Sequence, residues 1–252
     1  MEKFKVLGHE VDHEIIYPVY IHHVDLDLDS DTKVSVMDLI EQSCVIDPQK
    51  PPKLPGNLLV TQTGNLVNST NPGIKILSDM FLEITDRLLI QRVGDDVFSF
   101  LKPTEILCYG TIMGNGYAGT MVRNNYPWMF TACVFLKSPK NIREGDAGLS
   151  FIDTRGTSEN AEGYILKCIE NHMVVYPSNL TVRDVGFYNG DDHDSRISLV
   201  MQVGYFPKVD GANTGITVGK GVSEEEFRKM QQEGKIDPQS VVDTSNDIDD
   251  NW

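Results

Sequence analysis

The side chains suited to chemistry in this 252-residue chain are six histidines, four cysteines and a run of closely spaced aspartates. Their spacing sets what they can do. His22 and His23 are adjacent, so on an extended segment they point to opposite faces and cannot both serve one compact site from that segment. His9 and His13 have the i,i+4 spacing of a helix, but Pro18 and the β-branched residues nearby favour extended chain. His193 lies in Gly190-Asp191-Asp192-His193-Asp194, the composition of a polar turn. Asp25, Asp27, Asp29 and Asp31 superficially resemble a calcium loop. An EF-hand needs Gly at its sixth position and Glu at its twelfth, where Ser30 and Val36 stand. The segment reads instead as a solvated acidic strand face, with an adventitious or subunit-bridging cation site as the alternative.

Residues 114–119 match G-x-G-x-x-G. That pattern binds a dinucleotide only when it follows a strand and opens a helix, because the helix N-terminus receives the pyrophosphate. Residues 120–127 have poor helix propensity and end in Pro127, and Asn115-Gly116 is a strong turn pair, so a hairpin is expected here. There is no G-x-S-x-G elbow, phosphate loop or H-E-x-x-H. Cys44, Cys108, Cys133 and Cys168 show no C-x-x-C spacing and read as buried, reduced thiols of a reducing compartment. No catalytic, cofactor-binding or metal-ligating residue is assigned, and no cofactor is expected.

The elements that would carry these residues are mostly strands. Residues 22–29 alternate strictly, with Val24, Leu26 and Leu28 on one face and three aspartates on the other. A short helix is expected over 34–43 and a stiff proline-rich loop over 47–56. Ser69-Thr70-Asn71-Pro72 announces a helix, and Ile74, Leu77, Phe81, Ile84 and Leu88 form one apolar stripe ending near Arg92. Strands are expected over 57–62, 97–101, 105–113, 117–123, 128–136 and 195–206, and 161–169 fits either a helix or a hairpin arm leading into 173–176. The expected fold is α+β: an antiparallel sheet or sandwich with the 74–92 helix on one face and a small C-terminal helix. The expected core comprises Leu26, Ile74, Leu77, Phe81, Ile84, Leu88, Phe100, Ile106, Trp128, Phe130, Val134, Leu199, Met201 and Val203. The chain divides into three parts: a β-rich domain over 1–207, a Gly-rich connector over 208–221, and a helix with an acidic tail over 222–252. Ser223 with Glu226 forms the capping box of that helix.

A net charge of −15 opposes tight nucleic-acid binding, because phosphate neutralisation needs clustered Lys and Arg. No apolar run is long enough for a membrane helix, and the N-terminus lacks the apolar stretch of a signal peptide.

Two stretches resemble a known family. Residues 196–207 (Arg-Ile-Ser-Leu-Val-Met-Gln-Val-Gly-Tyr-Phe-Pro) resemble the final strand of tail-terminator or sheath-stabiliser proteins of contractile phages. Residues 223–227 with 234–238 resemble helix-plus-Asp-Pro segments of phage tail and baseplate proteins. The resemblance implies a non-enzymatic virion protein of a tail or neck. Its partners would be further copies of itself in a homo-oligomeric ring and other virion proteins, and it would assemble in the host cytoplasm. Two rival readings are a hot-dog acyl thioesterase or dehydratase, on residues 100–110 and 130–135 with the 74–92 helix, and a β-sandwich binding module.

Overall fold

The computed structural model describes residues 4–6, 9–16, 19–44, 54, 56–62, 64–117, 119, 121–123, 127–152 and 163–208. Residues 1–207 form one compact unit and 208–252 a second; the strands and helices given below belong to the first. The expected connector, capping-box helix and acidic tail lie outside the described residues.

The chain opens with three strands, β1 (Phe4–Val6), β2 (His9–Ile16) and β3 (Val19–Asp25), and continues into helix α1 (Ser30–Cys44). The alternating acidic strand expected over 22–29 therefore stops at Asp25. Asp29 turns the chain instead: its carboxylate accepts from the Thr32 amide at 2.8 Å and the Thr32 hydroxyl at 2.6 Å, starting the helix earlier than its apolar residues suggest. Those bonds hold the Asp29 carboxyl below the usual carboxylate range.

After β4 (Leu58–Val60) comes α2 (Pro72–Val93), where the sequence signals hold. Asn71 accepts from the amides of Gly73 and Ile74, Pro72 occupies the first turn, and Gly94 ends the helix at φ 84°. Ile74, Leu77, Phe81 and Ile84 are fully buried. The expected strand over 97–101 is instead the helical turn α3 (Asp95–Phe98) and then β5 (Leu101–Pro103), which leaves Phe100 69% exposed and outside the core. Trp128 is only half-buried, while the other expected core residues are buried.

The remaining strands are β6 (Leu107–Gly114), β7 (Met121–Arg123), β8 (Phe130–Lys137), β9 (Leu149–Ile152), β10 (Tyr164–Leu166), β11 (His172–Pro177), β12 (Thr181–Asp184), β13 (Ser195–Val203) and β14 (Tyr205–Pro207). They form an eight-stranded sheet in the order β1-β2-β3-β11-β8-β13-β6-β4, a four-stranded sheet β10-β9-β12-β7 and the pair β14-β5. Every pairing is antiparallel. From β6 to β13 the chain passes back and forth between the two larger sheets, except that β9 and β10 are consecutive and paired in the smaller one, an arrangement like that of a jelly roll. The turn at Asn115-Gly116 is thus no hairpin: β6 pairs β13 and β4, whereas β7 pairs β12 in the other sheet. Among the described residues it is the strand β7, not a helix, that follows residues 114–119, so no helix N-terminus is placed there to receive a pyrophosphate. Residues 164–166 are strand, and β10 and β11 likewise lie in different sheets.

Period-two alternation assigns each face of the large sheet to a different layer. Ile197, Leu199, Met201 and Val203 pack with Ile74, Leu77, Phe81 and Ile84 of α2. On the opposite face Ile21, Cys133, Phe135, Val174 and Tyr176 pack with Leu149, Phe151, Leu166 and Val182 of the smaller sheet. No helix among the described residues is long and apolar enough to cross a membrane.

Candidate functional site

On the side of the large sheet that faces the smaller one, His23, Asp25 and His172 meet. His23 and Asp25 are two apart on β3 and so share a face with Ile21. β11 runs antiparallel beside β3 with His172 opposite Asp25 and Val174 opposite His23. The turn before β11 fixes that register. Asn171 sits at φ 57°, its amide donates to the Phe135 carbonyl at 2.8 Å, and its carbonyl accepts from the Leu26 amide at 2.8 Å.

The three side chains form a linear chain. The Asp25 carboxylate lies 2.8 Å from His172 Nδ1, and His172 Nε2 lies 3.0 Å from His23 Nδ1. His172 is 9% exposed and Asp25 95%, so the set runs from solvent into the protein. The tautomer of His172 that donates from Nδ1 to Asp25 presents the Nε2 lone pair to the next partner. The register also places Asp12 of β2 opposite His23. Beside the set, Lys33 pairs with Glu170 at 2.8 Å, and Glu170 accepts the Ser138 amide at 3.0 Å. Burial pushes the Glu170 carboxyl up, but the Lys33 bond, the Ser138 amide and the charges of Lys33 and Lys137 outweigh it. The net result is below the usual range.

His22 points the other way, as adjacency requires, and His193 lies in an exposed turn whose amide donates to Asp191 at 2.9 Å. His9 and His13 both fall on β2, extended as expected. The pairing of β3 with β11 brings His23 to a histidine 149 positions away, a contact that only the tertiary structure makes. His172 has no local signal of its own. A trace of the site lies in the two-residue spacing of His23 and Asp25, which a strand turns into a shared face.

A second polar group lies deeper between the sheets. Arg196 is 2% exposed. Its guanidinium pairs with Asp184, donates to the carbonyls of Ala147 (3.0 Å) and Gly148 (3.3 Å), and sits 5.8 Å from the centre of the Phe135 ring. Burial pulls the guanidinium down, and Asp184 more than restores it, so Arg196 stays charged. Thr111 Oγ1, Gln202 Nε2 and Arg196 Nε, all on this side, lack a hydrogen-bond partner. Because Asp184 already neutralises Arg196, this group is a structural ion pair. All four cysteines are free, and burial pushes Cys133 and Cys108 up to about 12 and Cys44 and Cys168 up to about 11. At neutral pH these are inert thiols.

Among the described residues no three His, Cys, Asp or Glu side chains converge as donors on a single point. The His23–His172–Asp25 set offers two nitrogens facing one another, with the carboxylate behind one of them.

No family model matches the chain, and no curated protein matches it by sequence. Solved structures with a similar arrangement include a Pseudomonas putida prolyl-4-hydroxylase, at 12% identity over 73% of this chain and 92% of that one, with a TM-score of 0.45. A Trichoplax adhaerens prolyl hydroxylase in complex with a hypoxia-inducible-factor peptide fragment is 12% identical over 73% and 83%, with a TM-score of 0.47. A 2OG-Fe(II) oxygenase family protein of Burkholderia pseudomallei is 10% identical over 70% and 79%, with a TM-score of 0.41. Identities and TM-scores this low leave the chemistry of this chain to be read from its own side chains.

These neighbours are oxygenases, and they overturn the expectation of a non-enzymatic virion tail or neck protein and of a virion location. The structure gives the physical reason. Residues 196–207, which carried the phage resemblance, are mainly the strand β13, enclosed between β8 and β6 with Arg196 buried. Its alternation comes from packing against a layer on each face, not from a ring interface. Neither rival reading is matched. The two stretches that suggested consecutive hot-dog strands, β6 and β8, are separated in the sheet by β13.

Proposed function

We propose that this chain is an enzyme centred on His23, His172 and Asp25, in which the two histidine nitrogens would hold a divalent metal ion and Asp25 would support them from behind His172. The observation that carries the reading is the 3.0 Å separation of His23 Nδ1 and His172 Nε2. At that separation both ring nitrogens would lie within reach of one metal ion. Asp25 then acts as the outer carboxylate that orients His172 and raises its basicity. A metal held there would take its remaining donors from elsewhere, co-substrate included, and the acidic balance of the chain favours a cation. A redox metal bound there would supply the chemistry of oxygen activation. The residues supply donor geometry, and Asp25 fixes the proton on His172 Nδ1.

A second reading rests on the linearity of the set. If His23 carries its proton on Nδ1, the three groups form a proton relay that ends at His23 Nε2 and serves general acid–base chemistry without a metal. The two readings require opposite His23 tautomers.

The test is anaerobic titration of the full chain with Co(II), monitored by visible absorption, and O2 uptake with Fe(II) and 2-oxoglutarate. The metal reading expects about one equivalent bound at micromolar Kd. It also expects His172→Ala to abolish binding and O2 uptake to depend on both histidines. Absence of Co(II) binding, with ring-nitrogen NMR shifts showing His23 protonated on Nδ1, refutes the metal reading and leaves the relay.

A further inference from the structure

His22, which strand alternation turns away from His23, faces a different cavity. We propose that this cavity, on the helix side of the large sheet, binds a small aromatic carboxylate. Its volume is about 540 Å³, within the range of small-molecule sites. Leu88 of α2 and Phe130 of β8, 8% and 5% exposed, give it an apolar floor. Tyr20 and His22 form one wall, with rings within 17° of parallel and centroids 6.3 Å apart, a stacking surface for a flat ring. Arg92, in the last turn of α2, stands at the cavity with Gln91 beside it.

Arg92 supplies the charge argument. The chain has 37 acidic side chains against 22 basic ones, yet no carboxylate among the described residues pairs with Arg92. The carbonyl end of α2 attracts a cation but carries only a partial charge, so the guanidinium keeps its donors for an anion. A neutral aromatic molecule would fill the floor and wall and leave the guanidinium unused. A simple anion would use the guanidinium and leave the apolar floor wet. A ring bearing a carboxylate satisfies both. The site lies on the opposite face from His23 and does not depend on the chemistry proposed there.

The experiment is an NMR titration of the full chain with benzoate, benzamide and acetate. Benzoate is expected to bind saturably with a Kd on the order of 1 mM, and benzamide and acetate each about tenfold more weakly. Arg92→Gln, an exposed change that leaves the fold intact, is expected to weaken benzoate about tenfold without changing benzamide. His172→Ala is expected to leave all three unchanged. Equal binding of benzoate and benzamide, an Arg92→Gln variant as tight as the parent, or no saturation by benzoate overturns the proposal.

Discussion

Replacing Asp184 by Asn separates charge from shape at the buried Arg196. The guanidinium is 2% exposed and keeps its bonds to the carbonyls of Ala147 and Gly148, but its one anionic partner becomes a neutral amide. Breaking a buried ion pair from one side typically costs about 3–5 kcal/mol, because the remaining charge stays out of water without compensation. Asp184 is 18% exposed, so some water reaches its side of the pair, and the lower end of the range applies, about 3 kcal/mol. For a unit of this size each kcal/mol moves Tm by about 2–4 °C, so Asp184→Asn is expected to lower Tm by about 6–12 °C. The assay is urea denaturation monitored by tryptophan fluorescence, with thermal melts in parallel. The double variant Asp184→Leu with Arg196→Met removes both charges and keeps apolar volume. It is expected to recover most of the loss, since the cost lies in the orphaned charge. An Asp184→Asn variant within about 0.5 kcal/mol of the parent would place it among ordinary surface changes and refute the reasoning.

Three further outcomes rest on packing and burial. Gly110→Ala puts a Cβ 2.5 Å from Ile40 of α1, so it is expected to destabilise by about 1–3 kcal/mol, and Ile40→Ala in the same chain to relieve the strain, read by urea midpoints. At pH 8 the four thiols are expected to react with iodoacetamide far more slowly than a free cysteine and to reach that rate only in denaturant, because burial raises all of them to about 11 or 12. A rate like that of free cysteine for any one of them in the native chain would contradict its burial. Glu170, whose carboxyl is held below its unfolded value of about 4.3, contributes stability above that pH and loses it as pH falls through the folded value. Lys33→Met is therefore expected to lessen the destabilisation of the native state on acidification below about pH 4.5, measured as the pH dependence of the urea midpoint.

Local signals determined the elements with local causes. The 74–92 stripe, capped by Asn71 and Pro72 and stopped at Gly94, needed only spacing and capping chemistry to be read as a helix. The split of β13 into an apolar face and an Arg196, Ser198 and Gln202 face came from period two alone. Where two local signals competed, the reading went astray. The acidic alternation after His22 outweighed the helix start at Asp29, and the apolar residues 97–101 outweighed the helical turn that exposes Phe100.

Residue types and spacing by themselves determined the α+β, mostly antiparallel character of this chain, its principal helix, most of its core and the opposed directions of His22 and His23. Only the tertiary structure decided which strands are neighbours, and with that the site. A strand's alternation reports which side chains share its face. It carries no record of the partner strand, because backbone hydrogen bonds are the same for every residue type. Asp25 therefore meets His172 through a pairing register that no segment of the chain encodes alone.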